Sequence, residues 1–254
     1  MANHTPASRR HFVKQAALLT AAACAAPGVL SAASPTDQTG KGFTFLFQGD
    51  SITDGNRTRN NDWNHVMGHG YAYLIASRWW FDFPQKEFRF FNRGVSGNKV
   101  SDLAARWQAD TLDLSPNLLS LLVGINDVSE FLKGDQGYAA EKYEAGYRAL
   151  LEETRSHLPA TVFVLCEPFV LPVGRVKEKW ESYQAEVNKR RELVQKLAAD
   201  YQAVYVPLQA AFDQALRKAP AEYWIWDGVH PMPAGHELIA REWIRHVRKK
   251  LKFV

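Results

Sequence analysis

Four short blocks, far apart in the chain, contain the residue types that hydrolysis of an acyl bond requires. They supply a serine, a histidine with a carboxylate three positions before it, and several groups that can donate hydrogen bonds. Acyl transfer to water needs a nucleophile, a base that activates it, and donors for the charge that develops on the carbonyl oxygen. The blocks are Gly49-Asp50-Ser51, Asn92-Arg93-Gly94, Gly124-Ile125-Asn126-Asp127 and Asp227-Gly228-Val229-His230.

Ser51 is the predicted nucleophile. A serine hydroxyl reacts poorly until a base takes its proton, and His230 suits that task because imidazole titrates near neutral pH. Asp227 precedes His230 by three residues, a spacing that lets its carboxylate reach Nδ1 within one turn. That contact would fix the tautomer in which Nε2 faces the serine. The sequence therefore predicts a catalytic triad of Ser51, His230 and Asp227.

Three hydrogen-bond donors are predicted to form an oxyanion hole for the tetrahedral intermediate. They are the backbone N–H groups of Ser51 and Gly94 and the side-chain amide of Asn126. Glycine lets the backbone approach a ligand closely, and an amide nitrogen does not lose its protons to solvent bases. Taken singly, Ser51 and Asn126 also suit helix caps and Gly94 suits a turn. The prediction depends on the blocks occurring together.

Two competing sites have weaker support. The G-x-S-x-G signature of other serine hydrolases is incomplete around Ser96, because Asn98 stands where its final glycine belongs. His65 and His69 have the i, i+4 spacing of a zinc pair, but Gly68 disfavours a helix between them and no glutamate follows His65. We therefore expect no metal and no cofactor. His65 and His69 are expected to line the rim of the substrate site or to pack.

Short apolar runs alternate with amphipathic stretches from Phe43 onwards. The runs are continuously apolar, which is typical of strands buried on both faces of a sheet. Predicted strands cover 43–47, 88–91, 118–123, 161–166 and 203–206, and predicted helices cover 71–80, 100–112, 139–157, about 177–200 and 234–251. No linker or internal repeat divides residues 43–254, so one domain is expected.

Strands of this kind, separated by helices, favour parallel pairing through right-handed crossovers. The predicted fold is a flavodoxin-like, three-layer α/β/α sandwich with about five parallel strands. In such a sheet, ligands bind beyond the carboxyl ends of the strands. Ser51, Gly94 and Asn126 follow the first three predicted strands, and His230 lies in the loop before the last helix. All four are therefore expected at one edge of the sheet.

The blocks resemble those of the SGNH, or GDSL-type, hydrolase family, whose name lists a serine, a glycine, an asparagine and a histidine. The resemblance covers essentially all of the chain after its first residues. It implies this sandwich fold, a metal-free Ser-His-Asp site and ester hydrolysis. Ile52 replaces the leucine of the GDSL pattern, which is a conservative change. The matched residues are Ser51, Gly94, Asn126, His230 and, as the triad acid, Asp227.

Residues 1–33 have the features of an export signal. The segment SRRHFVK at 8–14 resembles the twin-arginine motif, and the alanine-rich apolar stretch after it is too short to span a bilayer. Cleavage is expected near Ser34, which leaves a hydrolase domain of residues 34–254 in the bacterial periplasm or outside the cell. Lipoprotein anchoring at Cys24 is a weaker alternative, since Ala21 stands where a lipobox has leucine.

The sequence pI of about 9.0 does not indicate a nucleic-acid-binding protein. Residues 1–33 contain three cationic residues and no acidic one, so their removal lowers the formal net charge from +4 to +1. No arginine-rich stripe interleaved with aromatic residues occurs, which argues against nucleic acid as a partner. The expected partner is a small-molecule or polysaccharide ester.

An acetylated carbohydrate of the xylan or pectin type is the favoured substrate. Trp63 and Trp226 lie in or near the motif loops, and flat aromatic faces suit the apolar faces of sugar rings. No long apolar lid occurs between Asp54 and Gly70. A lysophospholipase- or thioesterase-like activity on lipids is the alternative. A carbohydrate-binding protein without turnover is less favoured, because it needs no Ser-His pair. For Glu167, the sequence does not distinguish a place in the lining of the crevice from a role as a helix cap.

Overall fold

The five apolar runs form one parallel sheet. A computed structural model describes residues 40–60 and 62–254 of the chain. The strands are β1 Thr44–Gly49, β2 Arg89–Asn92, β3 Leu118–Leu122, β4 Val162–Cys166 and β5 Val204–Val206. Their order in the sheet is β2-β1-β3-β4-β5, and every neighbouring pair is parallel. β1 and β3 are buried along their whole length, which explains their predominantly apolar sequences.

Helices cover both faces of the sheet. They are α1 Ser51–Asp54, α2 Tyr71–Asp82, α3 Val100–Ala104, α4 Ile125–Leu132, α5 Ala140–His157, α6 Trp180–Asp200, α7 Leu208–Ala215, α8 Ala221–Trp224 and α9 Pro233–Lys250. Residues of α2, α7 and α9 share the core on one face, and residues of α3, α5 and the second half of α6 share the other. The predicted three-layer sandwich is confirmed. Within the described residues, none of these helices has both the length and the apolar character needed to cross a membrane.

An aromatic cluster fixes α2 and α9 against β1. Phe45, Trp79 and Trp243 are fully buried, and the Trp79 ring centroid lies 5.2 Å from that of Phe45 and 5.3 Å from that of Trp243. The indole N–H of Trp243 donates to Ser120 Oγ at 2.9 Å, which satisfies a polar side chain in the middle of β3. Because α9 begins three residues after His230, this cluster also anchors the loop that carries the histidine.

The described residues contain one cysteine, Cys166, at the end of β4. It is fully buried. Burial raises the pKa of its thiol to about 12, against a smaller opposing effect of the contact with Ser120 Oγ 4.0 Å away. The sulfur therefore belongs to the core and stays protonated at neutral pH.

The helix predicted over 100–112 is interrupted. α3 ends at Ala104, and a π-helical turn follows over Gln108–Leu112. Gln48, buried in β1, supplies the physical reason. Its Nε2 donates to the carbonyl of Asp110 at 2.9 Å and to Thr111 Oγ1 at 2.8 Å. A side chain that takes a backbone carbonyl in this way draws it out of the regular α-helical ladder.

Candidate active site

Ser51 lies at a sharp junction between β1 and α1, where its side chain is half-buried. Asp50 caps the short helix, because its Oδ1 accepts the N–H of Ile52 at 3.0 Å. Glycine is required at position 49, since a Cβ there would lie 2.2 Å from the carbonyl oxygen of Leu122. The tight turn therefore presents the hydroxyl at the carboxyl edge of the sheet, where the crevice of this fold lies.

Ser51, His230 and Asp227 form one continuous chain of hydrogen bonds. Ser51 Oγ lies 2.8 Å from His230 Nε2, although the two residues are 179 positions apart. His230 Nδ1 lies 2.8 Å from Asp227 Oδ2. The structure thus brings together the residues that the sequence assigns to a triad, in the order nucleophile, base and acid.

Asp227 is surrounded by donors that favour its ionised form. Its Oδ1 accepts the backbone N–H groups of Val229 at 3.0 Å and of His230 at 2.7 Å. Burial raises the pKa of the carboxyl, but the hydrogen bonds from the His230 ring and from these two backbone groups outweigh it and lower the pKa to about 2. Asp227 is therefore a carboxylate at neutral pH and orients the imidazole.

The structure contradicts the prediction that the Gly94 N–H points into the site. That N–H donates to the side-chain oxygen of Asn92 at 2.9 Å, and Gly94 is buried. A Cβ at this position would lie 2.3 Å from the backbone nitrogen of Asp54. Glycine occurs here because β2 ends against the backbone of α1, and a ligand plays no part in that packing.

A second glycine of the same segment is better placed. Gly97 is exposed, has a φ of +83°, and would place a Cβ in open space. Its N–H has no acceptor within residues 40–60 and 62–254, and neither has the N–H of Ser51. Asn126 Nδ2 donates to the carbonyl of Asn98 at 3.1 Å, which holds the Gly97 loop beside the amide. Among the described residues, the backbone N–H groups of Ser51 and Gly97 and the second N–H of Asn126 Nδ2 therefore remain available to a ligand.

Sequence reasoning missed Gly97 because it took the first glycine of the block, which directly follows the strand. The signal that favours Gly97 is its position three residues later, clear of the strand end. A backbone N–H at a strand end is usually committed to local pairing, whereas one in a loop is available to a ligand.

Two buried carboxyl groups lie next to the site residues. Desolvation raises the pKa of both Asp50 and Asp127 to about 7, against smaller opposing effects of backbone hydrogen bonds. Asp127 Oδ1 accepts the N–H of Val100 at 3.3 Å, whereas its Oδ2 is buried without a partner in the part of the chain that the structure describes. Asp127 thus connects the start of α4 to the start of α3, close to the Gly97 loop.

Comparison with protein families matches residues 47–238 to the model of the GDSL-like lipase/acylhydrolase family. That span contains every residue of the predicted triad. The chain belongs to this family. The resemblance noted from the sequence blocks is thereby confirmed, and the protein is a carboxylic ester hydrolase.

Individual relatives match over most of their length. An acetylxylan esterase of Geobacillus stearothermophilus is 32% identical over 215 residues, which cover 82% of this chain and 95% of the relative. Its crystal structure has a TM-score of 0.73 and covers 83% of this chain and 96% of that one at 31% identity. A crystal structure of a candidate GDSL-like lipase from Parabacteroides merdae has a TM-score of 0.77 at 40% identity, and covers 81% of this chain and 95% of that one.

The predicted substrate residues of this GDSL-type hydrolase lie in two places. Trp226 is 60% exposed, and its ring is nearly parallel to the His230 imidazole, with centroids 6.2 Å apart. Trp63 is 83% exposed and lines a groove of about 730 Å³ along β2, together with Trp80 and Phe90. No triad residue lines that groove. The structure therefore groups Trp226 with the triad and Trp63 with the sheet edge.

His65 and Glu167 make contacts of their own. His65 is exposed, and its Nδ1 lies 2.6 Å from Asp62 Oδ2. Glu167 Oε1 accepts the N–H of Gln209 in the first turn of α7 at 2.8 Å, and its Oε2 lies 3.2 Å from Arg191 Nε. Glu167 is therefore a helix-capping residue. Within the described ranges, no group of three or more His, Cys, Asp or Glu side chains could hold a metal ion.

A buried histidine that the sequence did not single out, His236, packs near the triad. Its Nδ1 accepts the N–H of Tyr71 at 3.2 Å. Burial lowers its pKa to about 4, with smaller contributions from His69 and His230. His236 is therefore neutral at pH 7, and the bond to Tyr71 fixes the tautomer that carries its proton on Nε2.

Alanine at the two glycines should separate packing from chemistry. Gly94→Ala forces a Cβ into the backbone of α1, so we expect the free energy of unfolding to fall by about 3 kcal/mol. Gly97→Ala adds a Cβ in open space and keeps the backbone N–H, so we expect a stability loss of only about 1 kcal/mol from its positive φ. Esterase activity should still fall, because relief of that strained φ would turn the N–H away from the oxyanion. Urea unfolding and hydrolysis of an aryl acetate measure the two effects. A stable Gly94→Ala variant without turnover would return the donor role to Gly94.

The stability of the Asp127→Asn variant relative to the parent protein should increase as pH rises. The pKa of Asp127 is raised from 3.8 to about 7 in the folded protein, so the stability linked to its bound proton is fully present below about pH 4 and lost as pH rises through about 7. Asparagine keeps the acceptor for Val100 without the charge. Between pH 5 and 8, the variant should gain about 2 kcal/mol relative to the parent protein. The exposed Asp82→Asn is the control. The same dependence of stability on pH in both variants would contradict the raised pKa of Asp127.

Proposed function

We propose that this hydrolase removes acetyl groups from a carbohydrate of the xylan or pectin type, with Ser51, His230 and Asp227 as its catalytic triad. The observation that carries the proposal is the continuous chain from Ser51 Oγ through His230 to the Asp227 carboxylate, with both hydrogen bonds at 2.8 Å. Crystal structures of the Geobacillus acetylxylan esterase include catalytic mutants at one serine and one aspartate, which supports the same assignment here.

The first half of the reaction transfers the acetyl group to the enzyme. His230 Nε2 takes the proton of Ser51 as Oγ attacks the acetyl carbonyl carbon, and the carbonyl oxygen becomes an oxyanion. The N–H groups of Ser51 and Gly97 and the amide of Asn126 donate to that oxygen. Collapse of the intermediate breaks the bond to the sugar oxygen, which takes the proton from His230. The products are the free sugar hydroxyl and an acetyl-serine.

Water completes the reaction by the same route. His230 removes a proton from a water molecule, whose oxygen attacks the acetyl-serine. The second tetrahedral intermediate returns the proton from His230 to Ser51 Oγ and releases acetate. Asp227 stays ionised throughout and stabilises the imidazolium that forms in each half.

Trp226 supports a sugar as the alcohol part of the ester. Its exposed ring lies beside the base that protonates the leaving oxygen. A flat apolar surface there can stack on one face of a sugar ring. The similarity to an acetylxylan esterase along 95% of that relative favours the same class of substrate.

A lipid esterase is the second candidate, and the groove along β2 is the feature that favours it. Most of that groove is apolar and aromatic, with Trp63, Val66, Met67, Trp80 and Phe91 among its lining residues. An acyl chain could bury apolar surface there.

Export through the twin-arginine signal and lipidation at Cys24 also remain proposals, because residues 1–39 lie outside the described residues.

Substrate comparison tests the proposal directly. The purified protein should release acetate from acetylated xylan or pectin, and its rate on acetyl esters should exceed that on long-chain acyl esters. Ser51→Ala and His230→Ala should each retain less than about 0.1% of the activity with nearly unchanged thermal stability. Preference for long acyl chains would favour the lipid esterase. An absence of turnover on every ester, including a short aryl acetate, would leave only a binding protein.

Asn126→Ala tests the oxyanion role of the amide. Loss of one such donor should lower kcat by about 100- to 1000-fold with a smaller change in KM, because the interaction forms in the transition state. Steady-state kinetics on an aryl acetate provide the measurement. Asn126→Asp has the same shape but lacks the amide N–H donors and adds a negative charge, so it should lose at least as much activity as Asn126→Ala. An increase in KM alone would make Asn126 a substrate-binding residue.

A further inference from the structure

Arg175 contacts the triad from outside the four sequence blocks. Its Nε lies 3.2 Å from Asp227 Oδ2, the same oxygen that lies 2.8 Å from His230 Nδ1. The Asp227 side chain is 7% exposed, whereas that of Arg175 is 52% exposed. The guanidinium therefore reaches the triad acid from the solvent side.

The backbone on both sides of Arg175 is fixed against the turn that carries Asp227. Gly174 has a φ of +53°, and a Cβ there would lie 2.4 Å from the Cα of Asp227. On the other side, a Cβ at Gly228 would lie 2.6 Å from the side chain of Val176. Close packing on both sides of Arg175 fixes the position of its backbone, so its side chain starts beside the turn that carries Asp227.

Asp227 does not need Arg175 for its hydrogen bonding. Its Oδ1 already accepts two backbone N–H groups, and its Oδ2 is bonded to the His230 ring. The main effect of the guanidinium is therefore electrostatic. A fixed positive charge beside the carboxylate opposes the arrival of a second positive charge on the neighbouring imidazole.

We propose that Arg175 is a positioning residue whose positive charge, held beside the Asp227 carboxylate, opposes the arrival of a proton on His230. The proposal rests on the proposed triad mechanism. Three other titratable groups act on His230: Asp227, whose negative charge favours the imidazolium, Asp50, whose carboxyl is mostly protonated below its raised pKa of about 7, and the neutral His236. Arg175 offsets the charge of the Asp227 carboxylate that it contacts.

Two matched variants separate charge from shape. Arg175→Gln keeps a polar side chain without the charge, and Arg175→Lys keeps the charge without the planar guanidinium. The measurement is the acidic limb of kcat/KM on a short aryl acetate, with product read at a pH-independent wavelength. The limb of the Gln variant should move up by about 0.5–1 pH unit, and that of the Lys variant should stay within about 0.2 unit of the parent. High salt should narrow the difference, because Arg175 is half-exposed.

Three results would overturn the proposed role of Arg175. An unmoved limb in Arg175→Gln, or the same shift in both variants, would overturn the electrostatic role. An equal loss of rate at every pH would assign Arg175 a purely structural role and would also overturn it. These results require an active parent protein, so they leave the proposed function intact. A parent protein without esterase activity would instead overturn the proposed function and this inference together.

Discussion

The parallel register between β1 and β3 is the constraint on which the site depends. Gly49 pairs with Leu122, so the two strands end at the same level of the sheet. Ser51 follows one strand end by two residues and Asn126 follows the other by four. After these neighbouring strands the chain crosses to β2 on one side and to β4 on the other, which opens a crevice at the sheet edge where both residues lie. A slip of one residue would turn the buried side chains of β1 to the wrong face and move Ser51 away from the amide.

Three aspartates show how local surroundings decide where negative charge resides in the site. All three are buried, and burial raises the pKa of each. Asp227 receives several hydrogen bonds and remains ionised, whereas Asp50 and Asp127 receive fewer and have a pKa of about 7. The carboxylate that faces the imidazole is thus the one with a stabilised charge. In the proposed mechanism, full negative charges on Asp50 and Asp127 would also repel the oxyanion.

The sequence was most informative where one physical rule dominates. Continuous apolar runs predicted all of the observed strands to within two residues at each end, because both faces of a parallel sheet must be buried. The proximity of Ser51 to His230 was expected because Ser51 follows the first strand, and that of Asp227 to His230 because the two are three residues apart. Prediction failed where a distant partner decides local structure, because Gln48 interrupts the helix predicted over 100–112. It also missed α4, which begins at Ile125 inside a sequence block for which no helix was predicted. Gly94 and Gly97 could be told apart only by what lies next to each of them.

The burial of Cys166 has a practical consequence for the study of this hydrolase. The thiolate is the reactive form of cysteine, and a pKa of about 12 leaves almost none of it at neutral pH. The sulfur lies within the sheet layer, where small fluctuations of loops do not expose it. A thiol-specific dye would therefore label this residue only in molecules that have opened globally. Cys166 can thus serve as an internal reporter of unfolding, and the folded hydrolase should tolerate oxidising surroundings without cross-linking through it.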